Sequence, residues 1–182
     1  MTTAVLLLAA GQSRRFGKDD KLLAPLNGTT VIEEAMAPLG ADLFTSRLAV
    51  VSSQKVAAVA QRAGFETIFV PAGDVQSSSL KQGIAAIRLK PVARVLIALA
   101  DMPFLQRDDI VSLLDLSHDQ PGCMLMRDTP MPPAVFPVRM LDSFQHLTGD
   151  RGAGTLLRDI PQRSRLPVNE ERLRDIDLPN DL

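Results

Sequence analysis

Apolar bursts alternate with helix-spaced patterns along most of this chain. Ala4 to Leu8 is a continuous apolar run that leads into Gly11, the pattern of a strand buried on both faces. Leu48 to Val51 repeats it, as does Thr67 to Val70, which Pro71 stops. Ala93 to Ala100 is the strongest such run and ends at Asp101. Helical spacing fills the gaps. Val31 to Leu39 opens after Thr29-Thr30, with Glu33 and Glu34 in the first turn, where the helix dipole favours acids. Gln54 to Ala63 is closed by Gly64, Ser77 to Leu89 stops before Pro91, and Asp108 to Leu116 follows the fourth strand. This alternation predicts an α/β fold with a mostly parallel sheet and helices on both faces. Right-handed crossovers then carry the C-terminal ends of the strands to one edge, the edge at which open sheets of this kind bind ligands. The loop after Leu8, the segment after Val70, and Asp101 all emerge there.

Beyond residue 117 the pattern is less regular. Gly122 to Met126 and Ala134 to Phe136 read as short strands around a proline-rich turn, Pro130-Met131-Pro132-Pro133. Val138 to Leu147 and Ala153 to Ile160 read as helices, and Arg163 to Val168 as a late strand. There is no internal repeat, low-complexity segment or linker, so residues 1–182 are expected to form a single domain.

Composition narrows the classes. Hydrophobic residues make up 46% and charged residues 23%, as in globular proteins. The net charge of -1 supplies no global field for nucleic acid, so phosphate binding must come from local geometry. A single cysteine, Cys123, precludes a disulfide within the chain and fits a reducing compartment. Structural zinc is disfavoured with one Cys and two His, His118 and His146. The apolar N-terminal run is too short for a membrane span and lacks a basic leader, so a cytoplasmic location with no membrane association is expected. Cys123 reads as a small core residue, and the two histidines as surface or core groups.

Four segments carry candidate chemistry. The first strand runs into Ala9-Ala10-Gly11-Gln12-Ser13-Arg14-Arg15-Phe16-Gly17-Lys18-Asp19-Asp20-Lys21. Gly11 allows close approach of a ligand to the backbone, successive N–H groups can form an anion nest, and Arg14, Arg15, Lys18 and Lys21 can neutralise a triphosphate. A solvated basic connection has the same composition. Neither the dinucleotide glycine fingerprint nor the P-loop pattern is present, which argues against nicotinamide chemistry. Ser77-Ser78-Ser79 precede a helical pattern, where one of them is expected to cap it, with or without a ligand at that terminus. Asp101, directly after the longest buried run, suits a Mg²⁺ ion that takes one or two protein carboxylates. Asp108 or Asp109 is better placed to cap the next helix. The tail Arg174-Asp175-Ile176-Asp177-Leu178-Pro179-Asn180-Asp181-Leu182 is acidic, and acidic tails are commonly solvated.

The first segment resembles the signature Leu-Ala-Ala-Gly-x-Ser-x-Arg-Phe-Gly-x-x-x-Lys of the MobA-like nucleotidyltransferases, and most closely that of the molybdenum cofactor cytidylyltransferases. The resemblance extends over nearly the whole chain. It implies a Rossmann-related three-layer α/β/α sandwich (GT-A-like), with residues 1–116 binding nucleotide and 117–182 binding acceptor. The implied activity is Mg²⁺-dependent transfer of CMP from CTP to a phosphorylated acceptor such as molybdopterin, with pyrophosphate released and contact with a molybdoenzyme. By motif position, Arg15 and Lys21 would hold phosphates, while Ala9, Ala10, Gly11, Ser13 and Arg14 would line the nucleotide. Ala10 stands where related guanylyltransferases have glycine, which points to CTP. Ser78, Ser79, Leu80 and Gly83 match the family's Ser-Ser-Leu-x-x-Gly beside base and sugar. Asp101-Met102-Pro103 matches its Asp-Met-Pro, whose Asp is a metal ligand. The tail matches a closing Asp-x-Asp-Thr-Pro-Glu-Asp-Leu, making Asp177, or alternatively Asp175, the second ligand. Two departures fall on the acceptor half. Gly154 replaces an arginine in the Gly-Asp-x-Gly-Ala-Arg loop at 149–154, and Pro132-Pro133 stands where a Gly-His-Pro is common.

Overall fold

The computed structural model describes residues 1–11, 16, 20–73, 76–146 and 152–182, without the side chains of 76, 152 and 153. Seven strands form one sheet. They are β1 (Thr3–Ala9), β4 (Ser46–Val51), β5 (Glu66–Phe69), β6 (Arg94–Leu99), β7 (Gly122–Met126), β8 (Thr129–Pro137) and β9 (Arg165–Pro167). Their order is β5-β4-β1-β6-β8-β7-β9. The first four are mutually parallel, β8 runs antiparallel to β6 and β7, and β9 is parallel to β7. A small hairpin, β2 (Pro25–Leu26) with β3 (Thr29–Thr30), was not anticipated by the hydrophobic pattern. Its turn uses Asn27 and Gly28 at positive φ, which suits these two residue types.

Period-two alternation along the buried strands divides the core. Val5, Leu7 and Ala9 of β1, Ala49 and Val51 of β4, and Leu96 and Ala98 of β6 face one side. There they pack on α1 (Val31–Met36), α2 (Gln54–Arg62) and α4 (Arg107–Ser117). Ala4, Leu6, Leu48, Val50, Val95 and Ile97 face the other side, against α3 (Gln76–Ile87) and α5 (Gly152–Arg158). The result is the expected three-layer sandwich.

Local chemistry sets the element ends. The Glu33 carboxylate accepts from the Thr30 backbone N–H at 3.0 Å and the Thr30 hydroxyl at 2.6 Å, tying down the start of α1. Gly64 follows α2 at φ +83°, as a C′ glycine should. Gln106 stands at the N-cap of α4, and the Asp109 carboxylate accepts from the Gln106 N–H at 3.0 Å. Arg94 is buried and spans two layers, donating to Thr3 Oγ1 at 2.9 Å and to the Leu114 carbonyl at 2.7 Å, near the last turn of α4.

Three local expectations are corrected. Pro130 to Pro133 is not a turn. The hairpin turns at Arg127-Asp128, and β8 runs through the prolines. Pro132 and Pro133 pair with neither neighbour, because they lie between the β7-paired residues Thr129–Met131 and the β6-paired residues Ala134–Pro137, opposite a register shift at Cys123/Met124. A strand tolerates proline where no ladder bond is due. Val138–His146 forms 3₁₀ turns and not an α-helix. The serines do not cap α3. The helix starts at Gln76, which puts Ser77, Ser78 and Ser79 in its first turn.

Candidate active site

Three segments far apart in sequence meet at the C-terminal edge of the sheet. Lys21 opens a 3₁₀ turn (Lys21–Leu23) whose start is fixed by Asp20, the side chain of which accepts from the Leu22 N–H at 3.1 Å. Leu22 is buried and anchors the turn on the α1 face of the core. Asp101 follows β6. The β1–β6 pairing continues past the strand through Ala100 N–H to the Leu8 carbonyl at 3.0 Å, and buried Met102 pins the other flank. Asp177 arrives on the C-terminal segment. There Leu173 and Ile176 are buried in the same core, and the Ile176 N–H donates to the Asp101 carbonyl at 2.8 Å.

The side chains converge accordingly. Lys21 Nζ donates to Asp101 Oδ2 at 2.7 Å and to Asp177 Oδ1 at 3.1 Å. The Lys21 side chain is only 10% exposed, against 24% for Asp101 and 38% for Asp177. Burial pulls the ammonium's pKa downward, but the Asp101 and Asp177 carboxylates outweigh it and hold Lys21 above its ordinary value. Asp175 lies close enough to feel the same charges. Partial desolvation first, then Asp101 and Asp177, push its carboxyl above the usual carboxylate range.

A residue that sequence reasoning did not single out also belongs here. Asp181 Oδ2 accepts from the Asp177 N–H at 2.8 Å and the Leu178 N–H at 2.6 Å. This clasps the backbone at Asp177, and Pro179 sits at the head of the closing 3₁₀ turn (Pro179–Asp181). The signal was legible, since a Pro just inside a helix start and an acid at its third position form a capping pattern.

The remaining predicted residues are distributed as follows. Ala9 and Ala10 are buried, so only their backbone is available to a ligand. Gly11 is exposed, does not adopt a positive φ, and a Cβ there would meet none of the described residues within 4 Å. Neither a left-handed turn nor packing against the described residues therefore explains this glycine. Ser13, Arg14 and Arg15 lie outside the described residues, as do Lys18 and residues 149–151 of the glycine-containing segment at 149–154. Ser78 is half-buried, while Ser79 and Leu80 are buried, and Leu80 packs with the α3 face of the core. The α3 start thus lies across the sheet from the face that anchors Lys21 and Asp177. Gly154 is exposed and a Cβ there would meet none of the described residues within 4 Å, and His118 and His146 are exposed. Cys123 is buried.

Among the described residues no group of three or more His, Cys, Asp or Glu side chains is arranged to hold a metal by itself. The donor set at Lys21 is nonetheless chemically apt for a hard divalent ion, because it offers two carboxylates from two elements and no soft ligand. Such an ion commonly takes one or two protein carboxylates and completes its shell with water and substrate phosphates.

A mostly parallel sheet flanked by helices, with this cluster at its ligand edge, defines an α/β nucleotidyltransferase fold, and solved structures share it. Rv0371c from Mycobacterium tuberculosis H37Rv superposes with a TM-score of 0.84 at 24% identity, over 100% of this chain and 96% of that one. The manganese complex of the same mycobacterial protein matches with a TM-score of 0.73 at 19% identity, over 100% and 93%. A nucleotidyl transferase from Methanothermobacter thermautotroptrophicus matches at 0.78 and 18% identity, over 99% and 94%. Molybdopterin-guanine dinucleotide biosynthesis protein A from Archaeoglobus fulgidus matches at 0.65 and 18% identity, over 98% and 94%. Residues 5–166 match the model of the MobA-like NTP transferase domain, and the chain belongs to that family. No curated protein gives a significant match to the sequence. Among the described residues no helix is long and apolar enough to cross a membrane.

Proposed function

We propose that this protein transfers CMP from CTP to a phosphorylated small-molecule acceptor, molybdopterin cofactor being the best candidate, and releases pyrophosphate. The observation that carries the proposal is the convergence of Lys21, Asp101 and Asp177, 80 and 156 residues apart in sequence, on one ion-paired cluster at the ligand edge. Asp101 and Asp177 are the residues that would hold Mg²⁺, which would supply charge neutralisation to the triphosphate. The manganese complex of a structural relative supports divalent-ion use. Ala10, in place of the glycine found in guanylyltransferases, favours CTP, and the resemblance to cytidylyltransferases favours a pterin acceptor.

Within this reading the chain's own groups do the following. The backbone at Ala9 to Gly11 lies beside the nucleotide. Here the missing Cβ of Gly11 has a reason that the described residues do not provide. The first turn of α3 offers N–H groups and the Ser78 hydroxyl to the sugar or phosphates from the opposite face of the sheet. Arg15 and Lys21 hold the β- and γ-phosphates and stabilise charge on the departing pyrophosphate. An acceptor phosphate oxygen attacks the α-phosphorus in line, so no protein nucleophile is needed, and catalysis is positioning plus electrostatics.

The direct test of base choice is a thermal-shift panel of CTP, GTP, ATP and UTP with Mg²⁺. A ligand that binds only the folded state raises the melting temperature with its occupancy. The largest shift is expected for CTP. Equal shifts for all four would overturn the CTP assignment, and no shift for any would overturn the nucleotide reading itself.

A further inference from the structure

The Lys21 ammonium occupies the charge that a metal ion would require. It is within 2.7 Å of one candidate ligand oxygen and 3.1 Å of the other, in a place only 10% exposed. A dication accepted by Asp101 and Asp177 would compete with this ammonium for the same two carboxylates, and the two cations would repel each other across a partly desolvated site. Lys21 must therefore be drawn away before the pair can serve a metal. Moving a lysine out of such a contact without a new anion sacrifices two charge-assisted hydrogen bonds. A triphosphate supplies the anion.

We propose that Lys21 is a selectivity residue that makes metal entry conditional on the nucleotide. In the nucleotide-free protein it neutralises Asp101 and Asp177 and keeps free divalent ions out. When triphosphate binds, Lys21 exchanges its carboxylate partners for phosphate oxygens, and the carboxylates become available to the accompanying ion. No bond is made or broken in this exchange. The two ligands are thereby coupled, and by linkage each raises the other's affinity by the same factor. This inference rests on the reading that Asp101 and Asp177 are the metal ligands, and it adds a binding order that this reading alone does not contain.

The experiment is titration of Mn²⁺ into the full-length protein, with free Mn²⁺ followed by electron paramagnetic resonance, with and without CTP, the CTP arm being read against a protein-free CTP titration because CTP itself binds Mn²⁺. Wild type is expected to bind Mn²⁺ at least tenfold more tightly with CTP than without. Lys21→Met, which keeps the apolar stem and removes the charge, is expected to bind Mn²⁺ without CTP at least tenfold more tightly than wild type, and to bind CTP more weakly. Lys21→Arg should retain the wild-type exclusion of free Mn²⁺. Lys21→Gln serves in place of Lys21→Met if that variant does not fold, as judged by circular dichroism. Lys21→Met, or its replacement, binding free Mn²⁺ no more tightly than wild type would overturn the proposal. So would wild type binding Mn²⁺ equally well with and without CTP. Failure of the underlying reading has a different signature. Wild type would take up no Mn²⁺ even with CTP, or the tight site in Lys21→Met would survive Asp101→Asn.

Discussion

Gly83 illustrates how a single atom constrains the fold near the site. A Cβ there would lie 2.7 Å from both Cδ atoms of Leu6 and 2.9 Å from Val50 Cγ2, so only glycine lets α3 approach β1 and β4 this closely. Alanine would gain roughly 1 kcal/mol in helix propensity but overpack the core by about 1–3 kcal/mol. Gly83→Ala is therefore expected to lower stability by up to about 2 kcal/mol, measurable by urea denaturation. The family resemblance marks this glycine without giving its reason, which is packing depth and can only be read in three dimensions. Cys123 is the opposite case, since its role as an inert core residue was legible from composition. Burial raises its thiol to about 11, from an ordinary 9.0. The unfolded chain loses this proton near pH 9 and the folded one near pH 11. Stability from this group is thus complete below pH 9 and falls as pH rises toward 11, at most by about 1.4 kcal/mol per unit. Thiol alkylation at pH 8 should leave the folded protein unmodified and label it on unfolding. Rapid labelling of native protein would contradict the buried placement.

At the scale of elements, the four parallel strands and the helices between them were legible because each strand is an apolar run and each helix has end signals, although the edge strand β5 is only half-buried, with Glu66 and Phe69 exposed. The part of the chain after residue 117 was less legible. A strand containing Pro130, Pro132 and Pro133 contradicts strand propensity, and its tolerance depends on a register shift in the neighbouring β7. The C-terminal segment was read only as a motif, yet it is held along its length. Arg127 pairs with Glu170, Arg172 donates to Asp109 at 2.7 Å, and Arg174 stacks over Phe104 at 4.4 Å. Asp181 closes it on the Asp177 backbone. Removing that carboxylate should loosen Asp177 while leaving the sheet intact. Asp181→Ala is expected to cut turnover about tenfold or more with a melting temperature within a few degrees of wild type. Asp181→Asn, which keeps an acceptor oxygen, should recover part of the loss. An Asp181→Ala enzyme with full activity would show that the clasp is dispensable.

At the scale of the whole molecule, the sheet's C-terminal edge gathers the functional candidates onto its two faces. Lys21, Asp101 and Asp177 are anchored in the core on the α1 and α4 face, and the α3 serines in the core on the other. The end of β1 lies between them, and the basic loop leaves from there. That arrangement suits a nucleotide laid across the edge, and in the proposed reaction in-line transfer would depend on the carboxylate pair. Asp101 contributes a backbone carbonyl to the Ile176 N–H, so a change of side chain leaves that bond available and the fold intact. The most direct test of the account is pyrophosphate release on mixing the protein with Mg²⁺, CTP and molybdopterin cofactor, comparing wild type with Asp101→Ala. One pyrophosphate per cytosine dinucleotide formed is expected from wild type, and none above background from a well-folded Asp101→Ala protein. Undiminished pyrophosphate release by Asp101→Ala, or none from wild type with any nucleoside triphosphate, would contradict it.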